Sequence, residues 1–187
     1  MFDYISHAEQ KALMPAIVVG CCILILLIWY ALAAGGREER RIRRAVRRQG
    51  SEILAALEIP DGMDGRLFID YLVLTADAIR VVVVKRYEGF IYAGEKLAEW
   101  TQVVKRNNYR FPNPLKELEL KIIALGSIIP GIPITGCVLF SESCKFPTRQ
   151  PGGVLRLGDP VPAYGKRPIP EDLQHAWRKL QQTRKDQ

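Results

Sequence analysis

An uncharged stretch near the N-terminus constrains most strongly what this chain can fold into. Residues 12–36 contain no charged side chain, and the segment from Pro15 to Ala34 is almost wholly apolar. A helix of about 20 apolar residues, rising about 1.5 Å per residue, can cross a hydrocarbon core of about 30 Å. We therefore predict one transmembrane helix over 12–36, preceded by a short extracytoplasmic tail of residues 1–11.

A block of arginines follows this stretch at once and carries much of the formal net charge of +7. Basic residues beside a membrane helix favour the cytoplasmic side, so the pattern predicts an inner-membrane protein with its N-terminus outside and its domain in the cytoplasm. We interpret residues 37–49 as a basic juxtamembrane helix. Its side chains could contact membrane lipid headgroups or the phosphates of nucleic acid. The candidates are Arg40, Arg41, Arg43, Arg44, Arg47 and Arg48.

The remaining length has room for about one domain. Four cysteines and two histidines, none at zinc-ligand spacing, argue against a zinc site or a disulfide scaffold. We assign the domain to residues 50–159 and treat 160–187 as a proline-rich connection with a C-terminal helix.

Apolar periodicity and turn residues predict an alternation of helices and strands. A first helix is expected from Arg37 to about Glu58, where Ile59-Pro-Asp-Gly ends it. The segment from Asn107 to Pro114 is punctuated by Asn and Pro. The further predicted elements are strands at 66–74, 78–85, 90–92, 99–104, 134–140 and 153–157, and helices at 115–129 and after Pro170.

Several short segments in this order resemble the nuclease-related domain (NERD) family, over a region from about Gly50 to Asp159. No single piece is specific, but their order and spacing together are. The matching pieces are Gly50-Ser-Glu52, Phe68-Ile-Asp-Tyr-Leu-Val-Leu74, Lys85-Arg-Tyr-Glu-Gly89, Trp100, Asn113-Pro-Leu115 and Val138-Leu-Phe140.

The resemblance implies a restriction-endonuclease-like α/β fold, a mixed sheet flanked by helices, here preceded by the transmembrane helix. It also implies a magnesium-dependent nuclease site. In such a site carboxylates hold the metal ion, which polarises the phosphate and activates a water, while a lysine steadies the developing charge. On this comparison Asp70 is the metal-binding and catalytic carboxylate, Lys85 is the catalytic lysine, and Glu52 is a further catalytic carboxylate.

The chain departs from the family pattern at the site itself. The family's Glu two residues before the lysine is replaced by Val83, which cannot bind magnesium. Glu117 stands where the family has a glutamine, and Ala78 stands in place of a hairpin glycine. An ion pair between Asp70 and Lys85 that serves only structure is an equally good interpretation of those two residues.

Three functions remain open from the sequence. The first is a domain with an impaired nuclease site that binds nucleic acid, DNA or RNA, or an unknown protein partner at the membrane face. The second is an active magnesium-dependent nuclease in which Glu88 or Glu117 is the replacement ligand. The third is a structural membrane scaffold. No cofactor other than magnesium is implied.

Overall fold

The structure, a computed structural model, describes residues 21–26, 29, 35–160 and 167–186. The chain divides into two compact units, Met1–Arg41 and Ile42–Gln187. Residues 35–47 are helical, and we label this helix α1. The later elements are β1 Glu52–Pro60, β2 Arg66–Leu74, β3 Ile79–Lys85, β4 Gly89–Tyr92, β5 Glu99–Val104, β6 Asn107–Pro112, α2 Pro114–Ile128, β7 Ile134–Phe140, β8 Cys144–Lys145, β9 Val154–Arg156 and α3 Glu171–Lys185.

The predicted membrane localisation is wrong, because the described helices do not include a membrane span. Within residues 21–26, 29, 35–160 and 167–186, no helix combines the length and the apolar character that crossing a membrane requires. Helix α1 overlaps the end of the predicted span but becomes charged from Arg37 onward. The tail of residues 1–11, much of the predicted span 12–36 and residues 161–166 of the proline-rich connection lie outside the described residues.

The second unit contains a five-stranded mixed sheet, ordered β1-β2-β3-β7-β9. The first three strands are antiparallel, whereas β7 runs parallel to both β3 and β9. The run Val81-Val-Val-Val84 explains the central position of β3, because β-branched residues suit a strand that is covered on both faces. The predicted strands 66–74, 99–104 and 134–140 are confirmed at their bounds.

A second, four-stranded sheet has the order β6-β5-β4-β8. Strands β4, β5 and β6 form an antiparallel meander, and the two-residue strand β8 adds to β4 in parallel. The sequence interpretation left 107–114 without a strand, because Asn and Pro weaken strand propensity. Pairing of Trp100 with Phe111 and of Gln102 with Tyr109 overrides that local preference.

Two apolar cores cover the two faces of the five-stranded sheet. The larger core contains Leu118 and Leu125 of α2, Trp177 of α3 and Trp100 of the second sheet. The smaller core contains Ile42 and Val46 of α1 together with β2, β3 and β7 side chains. Within the second unit, the five-stranded sheet therefore lies between residues 42–47 of α1 on one side and α2 on the other.

The predicted first helix ends earlier than the sequence suggested. Helix α1 stops at residue 47, and the segment that was expected to continue it as far as Glu58 belongs to strand β1, which pairs with β2 at every position except Ala56. Gly50 lies between the helix and the strand. The backbone passes so close to β2 there that a Cβ would lie 2.3 Å from the carbonyl oxygen of Leu74, which favours glycine. Leu, Ala and Glu favour helices in isolation, but burial of Leu54, Leu57 and Ile59 against the larger core favours the strand.

Strands β1 and β2 change their buried face near Ala56, which has a φ of 55°. Leu54 is buried before it, and Leu57 and Ile59 are buried after it, so the two-residue alternation shifts by one. By the register of the two strands, Ala56 lies opposite Asp70. Asp70 therefore lies where the first two strands are distorted.

Gly136 of β7 provides a test of this packing. A Cβ there would lie 2.6 Å from Leu118 Cδ1 and 2.9 Å from Ile122 Cδ1, so Gly136→Ala should push α2 away from the sheet. We expect the free energy of unfolding to fall by about 1–3 kcal/mol in urea titrations. The matched control is Gly126→Ala, inside α2, where the nearest atom would be 3.8 Å away and the change should stabilise by up to about 1 kcal/mol. Equal stability of Gly136→Ala and the unaltered chain would contradict this packing.

Candidate active site

The site predicted from sequence lies where α2 crosses the ends of β2 and β3. Ile79, Val81 and Val83 of β3 belong to the larger core, and Lys85 continues this two-residue series on the side that faces α2. Asn113 caps the N-terminus of helix α2: its side chain accepts a hydrogen bond from the Leu115 N–H, and Pro114 occupies the first turn. This start places Glu117 and Lys121, one helical turn apart, over the strands.

Four charged side chains form a chain of ion pairs at this point. Lys85 Nζ lies 2.6 Å from Glu117 Oε2, and Lys121 Nζ lies 2.7 Å from Glu117 Oε1. Lys121 Nζ is also 4.0 Å from Asp70 Oδ2. The lysine of α2 therefore lies between the two carboxylates, and the cluster carries two positive and two negative charges.

Lys121 is the most enclosed member of this cluster, with 7% of its side chain exposed. A buried ammonium is stable only when anions or hydrogen-bond acceptors compensate for the lost water. Glu117 and Asp70 provide that compensation. The sequence interpretation missed Lys121, although a lysine four residues after Glu117 and three after the buried Leu118 lies on the inward face of the helix.

The environment of Glu117 changes its pKa. Burial raises the pKa of this carboxyl, but hydrogen bonds from Lys121 and Lys85 and the charges of both lysines outweigh burial, so the net pKa is lowered from 4.5. Glu117 is therefore an anion at neutral pH. It belongs to the folded arrangement and is not merely a solvated helix residue.

Asp70 has a structural partner as well as Lys121. The backbone pairing of β2 with β3 ends at Tyr71 and Val82, and beyond it Asp70 Oδ2 accepts a hydrogen bond from the Val84 N–H at 3.2 Å. The carboxylate thus replaces the backbone acceptor that β2 no longer supplies. This bond holds the ends of the two strands together where they separate.

Glu52 and Glu88, which were also predicted as site residues, lie outside this cluster. Glu52 lies on β1 rather than on a helix, and its Oε2 accepts hydrogen bonds from Trp177 Nε1 at 2.8 Å and Gln181 Nε2 at 3.2 Å. Four residues separate Glu52 from the position opposite Asp70, a distance of roughly 13 Å along a strand. Glu88 is exposed in the loop after β3. The structure therefore brings Asp70, Lys85 and Glu117 together, whereas Glu52 fixes helix α3.

The arginines predicted to contact phosphate or lipid lie on α1 and immediately after it. Arg40 and Arg41 belong to the first unit and are exposed. In the second unit, Ile42 and Val46 are buried against the sheet, whereas the arginines between and after them are exposed. These exposed residues are Arg43, Arg44, Arg47 and Arg48.

The donor set does not fit magnesium well. Val83 is fully buried in the larger core and has no ligand atom. Mg²⁺ requires oxygen ligands at about 2.0–2.1 Å in octahedral geometry, and a lysine ammonium already lies between the two available carboxylates. Across the described part of the chain, no group of three or more His, Cys, Asp or Glu side chains could hold a metal ion.

Comparisons with known proteins identify a family for most of this region. A family model described as the nuclease-related domain, NERD, matches residues 34–141, more than half of the chain. An uncharacterised protein of Bacillus anthracis is 35% identical over 79 residues, which cover 42% of this chain and 37% of that protein. The chain thus spans little more than a third of that relative's length. No solved structure matches this chain.

Glu117→Gln tests the ion pairs of this cluster through the pH dependence of the free energy of unfolding. Because the folded-state pKa of Glu117 is lowered, its contribution to stability is complete above the unfolded value of 4.5 and is lost as pH falls through the folded value. At pH 7 the substitution should lower the free energy of unfolding by about 1 kcal/mol for each charge-assisted hydrogen bond that becomes neutral. The difference from the unaltered chain should shrink below pH 4.5.

Urea titrations at several pH values measure this difference. The control is Glu119→Gln, which changes an exposed carboxylate on the same helix and should have little effect at any pH. A destabilisation by Glu117→Gln that stays constant from neutral to acidic pH would contradict the role of the Glu117 charge.

Proposed function

Because this chain belongs to the nuclease-related domain (NERD) family, we propose that it is a nuclease-fold protein that binds nucleic acid but does not cleave it by a magnesium-dependent reaction. The observation that carries this proposal is the position of Lys121. Its ammonium lies 2.7 Å from Glu117 and 4.0 Å from Asp70, between the two carboxylates that a metal ion would have to share.

The architecture supports a nuclease-like fold of the restriction-endonuclease type. A mixed sheet carries Asp70 on its second strand and Lys85 at the end of its third, as the family resemblance implies. Helices cover both faces of that sheet. The loss of a carboxylate at Val83 changes the chemistry of the site without disturbing this frame, because valine is a good strand residue in a buried position.

Charge supports nucleic acid as the ligand. The formal net charge is +7, and Arg43, Arg44, Arg47 and Arg48 form an exposed basic face whose helix is anchored by buried apolar residues. Arginines held in this way can neutralise several phosphates and release the counterions bound to them. Such binding needs neither magnesium nor the Asp70 cluster.

An active nuclease with a relocated carboxylate is the second candidate function. Its supporting observation is that Glu117, rather than Glu88, lies in contact with Lys85. In this alternative α2 would supply the carboxylate that β3 lacks at Val83, and Asp70 and Glu117 would hold magnesium if Lys121 were displaced. Mg²⁺ is often held by one or two carboxylates together with substrate phosphates.

Cleavage and binding assays on the full chain distinguish the two candidates. We expect plasmid and single-stranded DNA or RNA to remain intact in Mg²⁺ or Mn²⁺, while labelled DNA binds with an affinity that falls steeply as salt rises. Substitution of Arg43, Arg44, Arg47 and Arg48 by Ser should weaken binding and flatten the salt dependence. Asp70→Asn should leave the affinity unchanged.

Metal-dependent cutting that disappears in both Asp70→Asn and Glu117→Gln would replace this proposal with the relocated-carboxylate nuclease. A chain that neither cuts nor binds nucleic acid would contradict both candidates.

A further inference from the structure

The four-stranded sheet has two unlike faces. One face is buried in the larger core through Ile91, Trp100 and Phe111. The other face, which we call the platform, follows from the strand register and two-residue alternation. Its residues are Phe90, Tyr92, Glu99, Thr101, Val103, Asn108, Arg110, Pro112 and Lys145.

Two aromatic rings stand at the centre of the platform. Phe90 is 46% exposed and Tyr92 is 48% exposed, although both belong to β4, an inner strand of the sheet. Large apolar side chains on an inner strand normally pack against another layer, and their exposure side by side indicates a surface that can bind a partner. Planar ligands can cover such rings by stacking.

Cations lie on both sides of this aromatic pair. Arg110 pairs with Thr101, which in turn pairs with Tyr92, so Arg110 lies two strands away on the same face. Lys145 pairs directly with Phe90 from the opposite side. Arg110 and Lys145 are exposed. Glu99 is the one acidic residue that the register places on the platform, and it lies at the end next to Pro112.

The turn between β5 and β6 extends the positive charge beyond the strands. Lys105 and Arg106 form this turn, and both side chains are exposed. Aromatic rings flanked by basic side chains match the chemistry of a nucleic-acid strand, which presents flat bases and negatively charged phosphates. An apolar protein segment would leave these cations without partners, so the charge favours nucleic acid over such a segment.

The spacing of the rings favours a single strand over a duplex. Residues two apart on a strand are separated by roughly 7 Å, whereas stacked bases of a duplex strand rise by about 3.4 Å. Bases that stack on both Phe90 and Tyr92 must therefore be separated from each other. Only an unpaired strand exposes its base faces in this way.

We propose that the platform binds single-stranded nucleic acid, with Phe90 and Tyr92 stacking on bases and Arg110 and Lys145 contacting phosphates. This inference rests on the proposed function, because it names the form of nucleic acid that this protein binds and the surface that binds it. The platform shares no residue with the basic face of α1 or with the Asp70 cluster.

Binding of a fluorescein-labelled 12-nucleotide single strand, as oligo-dT and as oligo-rU, tests the platform in the full chain. Phe90→Ala with Tyr92→Ala should weaken binding at least about tenfold, since each base stacked on an aromatic ring contributes about 1–3 kcal/mol. Both rings are exposed, so folding should persist, and a urea titration verifies this. Tyr109→Ala is the matched control, because Tyr109 is 52% exposed but lies on the other face by register.

A second variant separates ring stacking from general surface effects. Tyr92→Trp should retain the affinity and add an indole whose fluorescence is quenched by stacked bases. A blunt duplex of equal length should bind the platform weakly and should respond little to loss of the two rings.

The outcomes also separate this inference from the proposed function. If the unaltered chain binds the single strand and the double alanine variant binds it equally well, the platform is refuted while nucleic-acid binding stands. If the unaltered chain binds neither single strand nor duplex, both proposals fail. Equal weakening by Tyr109→Ala would also overturn the assignment of the stacking face.

Discussion

The ammonium of Lys121, buried between the carboxylates of Asp70 and Glu117, links the strands of the main sheet to helix α2. A metal ion in a nuclease site would make the same connection, because it draws carboxylates from different elements to one point. Here the cluster is already neutral, with two lysines and two acids. A further glutamate at Val83 would add a buried negative charge without a cation to match it. The apolar side chain of Val83 and the ammonium of Lys121 are therefore complementary features of one neutral cluster.

In the proposed function, nucleic acid binds away from the position of the family's chemistry. The Asp70 cluster lies between α2 and the sheet and is only partly exposed, whereas the basic face of α1 and the aromatic platform of the second sheet are open to solvent. Phosphate contacts on such surfaces depend on exposed cations and do not require a deep pocket. A protein built as we propose can hold nucleic acid on these surfaces while the Asp70 cluster stabilises the fold.

Much of the fold was predictable, because β2, β5 and β7 carry strong strand patterns and α2 has clear boundaries at Pro114 and Pro130. Strand β1 was not, since its local preference for helix is overridden by pairing with β2. The site was predictable in part. Asp70, Lys85 and Glu117 could be selected from the resemblance and its departures, but which glutamate meets Lys85 depends on how α2 crosses the sheet. Lys121 required the same information, as did the placement of Glu52 against Trp177.

Manganese binding by the full chain, followed by electron paramagnetic resonance, tests the central claim about Lys121 most directly. The account predicts no saturable Mn²⁺ site in the unaltered chain. It predicts a new site in Lys121→Met, which removes the ammonium but preserves the length of the side chain, and loss of that site when Asp70→Asn is added. A saturable Mn²⁺ site in the unaltered chain that is lost in Asp70→Asn would contradict the account.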